Sequence, residues 1–596
     1  MEVEDGRNTS LPPARDIAKA WLAPYAQAVT GGDVEAIAHA ILPNGWFRDV
    51  LTLNWDYRAL EGTDKIINYL QSNLKPGQVR EFKLVGDLHC EPVYVAETGT
   101  VEAVFTYETM VAHGRGYVRL VQDGAQGTWR ALNVCMMVMD LKGNVEVQYE
   151  SGLYGGHTLA WSDVYRDRRS KVEGNPHVLI IGSGQTGLQI AARFKQMNIP
   201  AVVIERNDRV GDNWRTRYPT LTLHTVRMLY QPYPRNWPVF TPRDKISDWL
   251  EMYSHSQDLV VWTKSHIADQ PVYDDQLKRW SVTINRDGKP ITIRPSHIVM
   301  ATGTLGHPHF VRLPHQEKFL GVVLHASQYQ GGVEYASKRV VVVGAGNTGI
   351  DICQDLVFHK AKSVTMVQRS STCVTSGDKT VENLGKFWPD DVPVEIGDFK
   401  FGSIPLGQLK KMMQSQTDEM WKSEEELHKK LRKGGIELNM GPEGEGQLLM
   451  VWERGGGYWI DKGGADLIAS GHIRVKQGVQ PSRFTEGALV FTDGTELEAD
   501  VVIFATGYAN IRESSRKVFG DATIDRTCQV YGLDEEGELR GSYRPTGHPG
   551  LWFGTGDFWN SRFMSKQLAI QIKAIELGLV DQDGGICIPV KPKSHL

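Results

Sequence analysis

Two different patterns of hydrophobic and polar residues divide the chain near residue 165. From residue 14 to residue 42 apolar side chains recur at helical spacing, which predicts two helices interrupted at Gly31-Gly32, and residues 61–74 predict a further short amphipathic helix. From residue 82 to residue 149 apolar and polar residues alternate between turn-like glycine sequences, a pattern typical of hairpin strands. Helices followed by hairpins indicate a small α+β domain over residues 1–165.

The rest of the chain has the pattern of an α/β fold. Residues 166–176 are polar and charged and predict a linker. After them, short β-branched runs alternate with glycine turns and helical stretches, which is typical of buried parallel strands. Two runs, HVLII at residues 177–181 and RVVVV at residues 339–343, each lead into a Gly-x-Gly-x-x-Gly sequence. Residues 406–433 carry opposite charges at helical spacing and predict a solvated helix.

The first glycine loop is Gly182-Ser-Gly-Gln-Thr-Gly187, and it is followed by a helical pattern and by the run AVVIE, which ends at Glu205. In a dinucleotide-binding βαβ unit the first glycine permits a tight turn, the second lets backbone approach a pyrophosphate and the third lets the helix pack on the strand. The terminal acid accepts hydrogen bonds from a ribose. The residues predicted to bind the first nucleotide are Gly182, Gly184, Gln185, Thr186, Gly187 and Glu205.

The second glycine loop, Gly344-Ala-Gly-Asn-Thr-Gly349, has the same surroundings, but Gln368 stands at the position that matches Glu205, and Arg369 follows it. Without the carboxylate a 2′-phosphate is not repelled, and the guanidinium offers it a charge-assisted partner, so NADPH is favoured over NADH. Since Arg206 likewise follows Glu205, the alternative is that Arg369 points to solvent. The residues predicted to bind this nucleotide are Gly344, Gly346, Asn347, Thr348, Gly349, Arg369 and Ser370.

Composition excludes several other classes of function. The formal charge of -5 and the absence of a long basic tract argue against nucleic acid as a partner. No apolar run reaches the ~18 to 20 residues that cross a bilayer, and the acidic N-terminus does not match a secretory signal, so we expect neither membrane association nor secretion. The six cysteines show no metal-ligand spacing and predict buried thiols, with no metal site. Ser594-His595-Leu596 varies the Ser-Lys-Leu peroxisomal address, which leaves cytoplasmic and peroxisomal locations open.

Two dinucleotide sites in one chain imply a flavin that is reduced by a nicotinamide, with the ADP part of FAD at the first glycine loop. Further motifs narrow the choice among flavoproteins, and the region from residue 177 to residue 579 resembles the flavin-containing monooxygenases, most closely their fungal-type and plant auxin-forming branches. The matching motifs are Gly211-Asp-Asn-Trp214, Ala301-Thr302-Gly303, Phe319-x-Gly-x-x-x-His325-x-x-x-Tyr329, Ala505-Thr506-Gly507-Tyr508 and Phe553-Gly-Thr-Gly-Asp557.

The resemblance implies further cofactor-binding residues and a domain order. Gly211 and Trp214 would cover the flavin ring, and Thr302, Gly303, Thr506, Gly507 and Asp557 would lie at turns that meet the cofactors. The fold would contain two Rossmann-like domains: an FAD domain in two parts, residues 177–330 and 500–596, and an NADPH domain, residues 331–499, inserted between them. Residues 1–165 resemble, in pattern alone, the cone-shaped domain of nuclear transport factor 2 and the SnoaL polyketide cyclases.

The reaction implied by the resemblance is the insertion of one oxygen atom from O2 into a small organic substrate. In the family NADPH reduces the flavin, and a hydroperoxide formed at C4a delivers the oxygen. The family fingerprint ends in Trp in the sister Baeyer–Villiger monooxygenases, whereas this chain has Tyr329, which favours the flavin-containing monooxygenases. The N-terminal extension, however, resembles that of the type II members, which oxidise ketones, so Baeyer–Villiger oxidation of a ketone is the alternative. The catalytic candidates are His224, which could hold a proton or orient the flavin, His325, which could fix domain geometry or transfer a proton, and Tyr329.

Two other classes stay as alternatives. A flavin disulfide reductase needs a redox dithiol, and no two cysteines lie closer than Cys353 and Cys373. A non-enzymatic cofactor-binding scaffold would also keep both glycine loops, and consumption of NADPH in air would separate it from an enzyme. The N-terminal domain leaves a homodimer open.

Overall fold

The computed structural model describes residues 12–124, 127–147, 149–223, 228–234 and 236–580. The chain divides into two compact units. Unit 1 contains residues 1–146 together with two segments from much later in the chain, 390–408 and 535–538, and unit 2 contains the remainder.

Unit 1 is built on a seven-stranded sheet with helices packed against it. The long strands Ile41–Val50 and Thr128–Leu141 pair in parallel at its centre, and every other pairing is antiparallel. In sheet order the strands are Tyr57–Glu61, Ile41–Val50, Thr128–Leu141, Ala112–Asp123, Thr100–Thr109 and Val79–Leu84, and Val93–Val95 pairs with Thr100–Thr109. The helices are Ala14–Gly31, Val34–His39, Thr63–Asn73 and, from the later segment, Val394–Gly402.

The helices of unit 1 form for the reasons that the sequence indicates. Helix Ala14–Gly31 buries Ile17, Trp21 and Tyr25, which lie on one face at a spacing of four residues. It ends at Gly32, whose φ of 75° is a left-handed conformation that glycine adopts without strain. The second helix starts where the Asp33 side chain accepts a hydrogen bond from the Ala36 N–H. The predicted break between the two helices is confirmed.

The two faces of the central strands of unit 1 carry buried charge. On one face the Asp49 carboxylate accepts hydrogen bonds from the N–H groups of Thr52 and Leu53 and from the Tyr69 hydroxyl, at 2.9, 3.0 and 2.6 Å. Burial raises the pKa of Asp49 to about 6. On the other face Arg48 forms a two-pronged ion pair with Glu538, in which both N–O distances are 2.6 Å.

Unit 2 contains two five-stranded sheets in which every pairing is parallel. The first sheet has the order Val261–Trp262, Ala201–Ile204, Val178–Ile181, His297–Met300, Leu551–Phe553. The second sheet has the order Val322–His325, Val501–Phe504, Arg339–Val343, Ser363–Gln368, Ile473–Gln477. All strands of the second sheet lie between the fourth and fifth strands of the first sheet along the chain.

The second sheet corrects the predicted boundaries of the inserted domain. Two of its strands, Val322–His325 and Val501–Phe504, lie outside residues 331–499. The prediction placed the boundaries at the ends of the second glycine-loop region, but the pairing that defines the sheet joins strands from beyond both boundaries. In both sheets a strand leads directly into an Ala-Thr-Gly turn. His297–Met300 precedes Ala301-Thr302-Gly303 in the first sheet, and Val501–Phe504 precedes Ala505-Thr506-Gly507 in the second.

Smaller sheets and further helices complete unit 2. The remaining strands are Thr222–Leu223, Thr241–Pro242, Ser265–Ile267, Val272–Asp274, Arg279–Arg286, Lys289–Ile293, Leu305–Pro308, Thr372–Ser376, Leu438–Asn439, Tyr458–Asp461, Pro481–Phe484, Ala488–Phe491, Glu496–Glu498 and Tyr508–Asn510. Apart from the helices within residues 161–174 and 406–433, which are described below, the helices of eight or more residues are Gln185–Gln196, Arg243–Ser256, Asn347–Phe358, Gly377–Phe387, Gly446–Arg454, Ile511–Phe519 and Phe558–Glu576, and the shorter ones are Asp212–Arg215, Gln316–Lys318, Ala326–Gln328, Gly332–Tyr335, Gly464–Ala469 and Asp521–Ile524.

Two stretches differ from their predicted structure. Most of the predicted linker 166–176 is helical, because helix Trp161–Gly174 includes it and is supported by the ion pairs Lys171–Asp167 and Arg169–Glu173 at helical spacing. The predicted single helix 406–433 is three helices, Leu406–Ser415, Thr417–Ser423 and Glu425–Lys433. The last is not fully solvated, because His428 and Leu431 are buried.

The described cysteines, Cys90, Cys135, Cys353, Cys373 and Cys528, are all buried, as predicted. Within the described residues, every helix is too short or too polar to span a bilayer.

Candidate functional site

The first glycine loop joins the strand Val178–Ile181 to the helix Gln185–Gln196 in a turn that only glycine fits. Gly182 has a φ of 106°, and a Cβ there would lie 2.5 Å from the carbonyl oxygen of Ala301. A Cβ on Gly187 would lie 1.9 Å from the carbonyl oxygen of Gly182. The loop is therefore closed against Ala301-Thr302-Gly303, the first Ala-Thr-Gly turn, and both of these glycines are required by close backbone approach.

The second glycine loop repeats this geometry with its own partners. Gly344 has a φ of 125°, and a Cβ there would lie 2.4 Å from the carbonyl oxygen of Ala505, in the second Ala-Thr-Gly turn. A Cβ on Gly349 would lie 2.1 Å from the carbonyl oxygen of Gly344. The backbone hydrogen bonds match too, since Gly182 donates to Ile204 at 2.8 Å and Gly344 to Val367 at 3.0 Å. Each loop thus lies at the carboxyl edge of its parallel sheet.

The two helices that follow the loops begin without a capping side chain. Gly184 and Gly346 are their N-cap residues, and neither helix carries an acidic residue in its first turn. By contrast, helix Phe558–Glu576 begins at Asp557, whose side chain accepts a hydrogen bond from the Asn560 N–H at 3.0 Å. Uncapped N–H groups with the positive end of the helix dipole suit a phosphate group, so both loops fit a pyrophosphate.

The acid at the end of the second strand faces the first glycine loop. Glu205 is buried, and its carboxylate accepts hydrogen bonds from the N–H and the hydroxyl of Ser183, at 3.1 and 2.8 Å, and from the N–H of Asn207 at 2.9 Å. These bonds hold the carboxylate next to the loop, where a ribose of a bound dinucleotide would lie.

The matching residue of the second sheet is used differently. Gln368 is buried, and its amide donates to the hydroxyl of Thr372 and to the carbonyl of Glu437, at 3.0 and 2.9 Å, while its oxygen accepts from the Glu437 N–H at 2.9 Å. The side chain is therefore saturated by the protein. The next two residues, Arg369 and Ser370, are exposed, which leaves them accessible beside the second loop.

Three other predicted segments gather around the first glycine loop. A Cβ on Gly184 would lie 3.3 Å from the Asn213 amide, which places Gly211-Asp-Asn-Trp214 beside the loop. The Thr304 hydroxyl accepts from the N–H of Gly556 at 2.7 Å, so the turn that leads to Asp557 lies against the first Ala-Thr-Gly turn. Thr186 and Ser561 share a hydrogen bond of 3.0 Å between their hydroxyls. The structure thus brings together the residues predicted for the first nucleotide.

His325 lies where the strand Val322–His325 ends, and both of its ring nitrogens are engaged. Nδ1 accepts from the Ser327 N–H at 3.1 Å, so the ring proton is on Nε2, which donates to the Gly507 carbonyl at 3.1 Å. Burial lowers the pKa of His325, which favours this neutral form. The ring connects the Phe319–Tyr329 segment to the second Ala-Thr-Gly turn.

Tyr329, the last residue of that segment, is buried against the helix of the second glycine loop. Its hydroxyl donates to the Asp355 carboxylate at 2.7 Å, and its ring stacks on Tyr335 with centroids 5.7 Å apart. The tyrosine is therefore part of the packing between this segment and the helix Asn347–Phe358.

His224 lies outside the described residues, and the structure shows how the residues on either side are held. Before it, Thr222–Leu223 pairs with Thr241–Pro242. After it, the Leu229 N–H donates to the side-chain oxygen of Gln189, a fully buried residue of the first-loop helix, at 2.9 Å. Sequence analysis missed Gln189, whose only signal is an amide at a core-facing helical position.

A group of polar residues next to the second loop was also missed. The Tyr218 hydroxyl donates to the Asp351 carboxylate at 3.0 Å, and the Lys462 ammonium donates to the Thr222 hydroxyl at 2.6 Å. Burial lowers the pKa of Lys462, and Asp351 acts in the opposite direction as a nearby negative charge. The one signal in the sequence was the pair of acids at positions 351 and 355, on the face of a helix that otherwise buries apolar residues.

Unit 2 also contains a cavity of about 640 Å³ that is separate from both loops. Tyr154, Trp161, Lys195, Ile199 and Leu259 contribute to its wall. Lys195 lies near the end of the helix that begins at the first glycine loop, and Ile199 precedes the strand Ala201–Ile204. The cavity therefore lies at the amino edge of the first sheet, at the end of the strands opposite to the first glycine loop.

Comparison with known proteins finds a matching family model, similar plant proteins and similar solved structures. A model of the family "Pyridine nucleotide-disulphide oxidoreductase" matches residues 179–384. Indole-3-pyruvate monooxygenase YUCCA1 of Oryza sativa subsp. japonica is 28% identical over 356 residues, which cover 58% of this chain and 80% of the relative. Among solved structures, cyclohexanone monooxygenase in its loose, ε-caprolactone-bound conformation has a TM-score of 0.49 and 16% identity, and the match covers 67% of this chain and 88% of that one.

A second plant relative has a slightly higher sequence identity to this chain. Probable indole-3-pyruvate monooxygenase YUCCA7 of Arabidopsis thaliana is 30% identical over 343 residues, which cover 55% of this chain and 73% of the relative. This similarity shows that the chain belongs to the flavin-containing monooxygenases and is an NADPH-dependent flavoprotein monooxygenase that uses FAD.

Proposed function

We propose that the first glycine loop binds FAD and the second binds NADPH, each within a Rossmann-like domain formed by its parallel sheet. The observation that carries the assignment is the difference between Glu205, which is held toward its loop, and Gln368, which is saturated by other parts of the protein. A carboxylate beside the ribose suits FAD, and its absence tolerates a 2′-phosphate. When bound, FAD accepts a hydride from NADPH and activates O2.

The cofactor-binding residues follow from this assignment. The N–H groups at Gly184, Gln185 and Thr186 would hold the FAD pyrophosphate, and those at Gly346, Asn347 and Thr348 would hold that of NADPH. Asn347 is partly committed, because its side-chain oxygen accepts from the Ile460 N–H at 3.0 Å. Gly211, Trp214, Thr302, Gly303 and Asp557 would surround the flavin, whereas Thr506 and Gly507 would act near the nicotinamide.

The nucleotide preference is tested at Arg369. Arg369→Ala is expected to weaken NADPH binding about tenfold and NADH binding by less than twofold, since only the 2′-phosphate uses the guanidinium. Arg206→Ala is the matched control, because Arg206 occupies the same position after the first sheet's strand and is also exposed. Dissociation constants from spectral titration give the result. Equal losses for both nucleotides in Arg369→Ala would contradict the assignment.

The FAD assignment has its own test at Gly184. Gly184→Val places a branched side chain against Asn213 and over the helix N-terminus, so the purified protein is expected to lose its yellow colour. A variant that is folded by circular dichroism and still carries a full equivalent of FAD would contradict it.

For the substrate we propose a carbonyl compound, and in the first instance a 2-oxo acid with an aromatic side chain. The support is that the relatives named above act, by their names, on indole-3-pyruvate. Oxygen insertion next to a carbonyl is also the chemistry of the Baeyer–Villiger alternative, so the two proposals share a substrate class. The test mixes reduced protein with O2 and NADP⁺ in a stopped-flow instrument and then adds indole-3-pyruvate, cyclohexanone, a sulfide or an amine. The compound that speeds the return of oxidised flavin identifies the substrate class. Reaction with the sulfide or amine alone would overturn the proposal.

For the catalytic candidates we propose indirect roles. His325 and Tyr329 would fix the geometry of the segment that joins the two sheets, since their polar atoms are occupied by Gly507 and Asp355. His224 would orient the flavin through its ring nitrogens, and holding a proton is the alternative role.

We propose that the first part of unit 1 is a cone-shaped domain like that of nuclear transport factor 2. A long, mostly antiparallel sheet packed against three N-terminal helices supports this.

We also propose that Ser594-His595-Leu596 acts as a peroxisomal address. A fluorescent protein that carries the last twelve residues should form puncta with a peroxisomal marker, whereas the same fusion without Leu596 should stay diffuse; diffuse fluorescence from both would contradict the proposal.

A further inference from the structure

The helix that begins at the second glycine loop carries two buried carboxylates one turn apart. Asp351 and Asp355 lie on helix Asn347–Phe358 and are 8% and 1% exposed. A carboxylate taken out of water is costly unless it is hydrogen-bonded, so these two acids need hydrogen-bond partners.

Two of the partners are tyrosines from different segments, and His359, one turn further along at the end of the same helix, lies with its Nδ1 3.0 Å from the Asp355 carboxylate. Tyr218, which is 2% exposed and follows Gly211-Asp-Asn-Trp214, donates its hydroxyl hydrogen bond to Asp351. Tyr329, which is 1% exposed, donates to Asp355, and that carboxylate also accepts from the Gly332 N–H at 2.8 Å. Both hydrogen bonds join buried groups, where water does not compete with the donor or the acceptor.

The two segments meet beside the helix. A Cβ on Gly331 would lie 3.5 Å from Pro219, the residue after Tyr218, and 4.0 Å from the Asp355 carboxylate. One segment comes from the surroundings of the first glycine loop, and the other connects the first sheet to the second. The rigid helix is thus held by its second and third turns, and its free N-terminus lies at the second glycine loop.

Lys462 connects this arrangement to the segment that leads to His224. Its ammonium donates to the Thr222 hydroxyl, and its charge acts on Asp351. Thr222 lies four residues after Tyr218 and two before His224. The segment that leads to His224 is therefore attached both to the helix of the second loop and to Lys462, which follows the strand Tyr458–Asp461 beside that loop.

We propose that Tyr218 and Tyr329 are positioning residues for hydride transfer: through Asp351 and Asp355 they fix the helix of the second glycine loop relative to the first glycine loop. The inference rests on the proposed binding of NADPH at the second loop. The nucleotide is held by the N-terminus of the helix, and the two hydrogen bonds set where that N-terminus points. Their loss therefore changes the rate of flavin reduction more than it changes the affinity for the nucleotide, because a displacement of about 1 Å costs as much as a hundredfold in rate.

The test uses the holoenzyme and the variants Tyr218→Phe and Tyr329→Phe. Anaerobic stopped-flow reduction by NADPH gives the limiting reduction rate and the dissociation constant separately. We expect each variant to lower the limiting rate tenfold or more, to leave the dissociation constant within twofold and to increase the isotope effect with NADPH deuterated at the transferred hydrogen. Tyr335→Phe is the matched control, because Tyr335 stacks on Tyr329 and is expected to keep the wild-type rate.

Two outcomes would overturn the inference. One is an unchanged limiting rate in both variants, and the other is an equal loss in Tyr335→Phe, which would indicate packing alone. Asp351→Asn serves if a tyrosine variant loses FAD or fails to fold, because it weakens the same hydrogen bond from the other side. Failure of the proposed function is distinguishable: if Gly344→Ala leaves NADPH binding intact, the assignment of the second loop is wrong, whatever the tyrosine variants do.

Discussion

Removal of the charge of Glu538 is expected to destabilise unit 1 strongly. Arg48 and Glu538 are 5% and 1% exposed at their side chains, and Arg48 has a further bond to the Gly402 carbonyl. In Glu538→Gln the guanidinium stays buried without its counter-charge, which costs about 3 to 5 kcal/mol of unfolding free energy. For a folding unit of about 150 to 250 residues each kcal/mol lowers Tm by roughly 2 to 4 °C, so we expect a decrease on the order of 10 °C.

A second ion pair in the same unit provides a matched control. Arg58 and Glu536 join the same segment to a neighbouring strand, but their side chains are 34% and 25% exposed. Solvent screens such a pair, so Glu536→Gln is expected to cost about 0 to 1 kcal/mol and to shift Tm by only a few degrees.

The measurement is thermal unfolding followed by two probes, because a protein of two units need not unfold in one step. Far-ultraviolet circular dichroism reports all helices and strands, and the fluorescence of released FAD reports unit 2. Glu538→Gln should lower the first transition and leave FAD release unchanged. The double variant Arg48→Met with Glu538→Leu should recover most of the loss, since no charge is left uncompensated. Equal shifts in Glu538→Gln and Glu536→Gln, or no recovery in the double variant, would refute the reasoning.

Further predictions concern the loops and one buried acid. Gly182→Ala should release FAD, whereas Gly344→Ala should keep FAD and lose NADPH affinity, because each Cβ would collide with the carbonyl of a different Ala-Thr-Gly turn; FAD content and nucleotide titration check this, and identical behaviour would contradict it. Glu205→Gln should lower FAD affinity about tenfold, since an amide group would face the donors at Ser183, while NADPH affinity stays the same. Burial raises the pKa of Asp49 from 3.8 to about 6, so the folded state holds this proton more tightly than the unfolded state. Its contribution to the stability of unit 1 is therefore full below about pH 4, falls by about 2 to 3 kcal/mol as the pH rises to 6 and is constant above that. Urea denaturation at a series of pH values should show this slope in the wild type and not in Asp49→Asn.

The sequence predicted those parts of the fold that depend on neighbours along the chain. The strand, glycine loop and helix from residue 178 to residue 196 are found as expected, because period and turn chemistry are local properties. The break at Gly31-Gly32 is found for the same reason. The strand Val501–Phe504 was assigned to the wrong domain, although its apolar run and the Ala-Thr-Gly turn after it repeat the signal at residues 297–303.

Contacts between distant segments could not be predicted. An arginine at residue 48 and a glutamate at residue 538 read as surface charges, and only the fold shows that they are buried together. The hydrogen bond of Tyr218 to Asp351 joins residues 133 positions apart, and a tyrosine after a short helix carries no sign of such a partner. For the candidate site, the glycines and Glu205 were predictable from spacing, but the residues that hold them in place were not.

Unit 1 is formed by segments that lie far apart in the chain, and this determines when it can complete its folding during synthesis on the ribosome. Its first segment ends at residue 146, but Glu538, which neutralises Arg48, is synthesised about 390 positions later. At about 5 to 20 residues per second this is a delay of roughly 20 to 80 s, during which the strand Ile41–Val50 presents an unpaired guanidinium where the finished protein has a buried one. A fragment that stops at residue 165 stays in that condition permanently. The amino-terminal part of unit 1 is thus synthesised first, but the unit is complete only once residue 538 has been added.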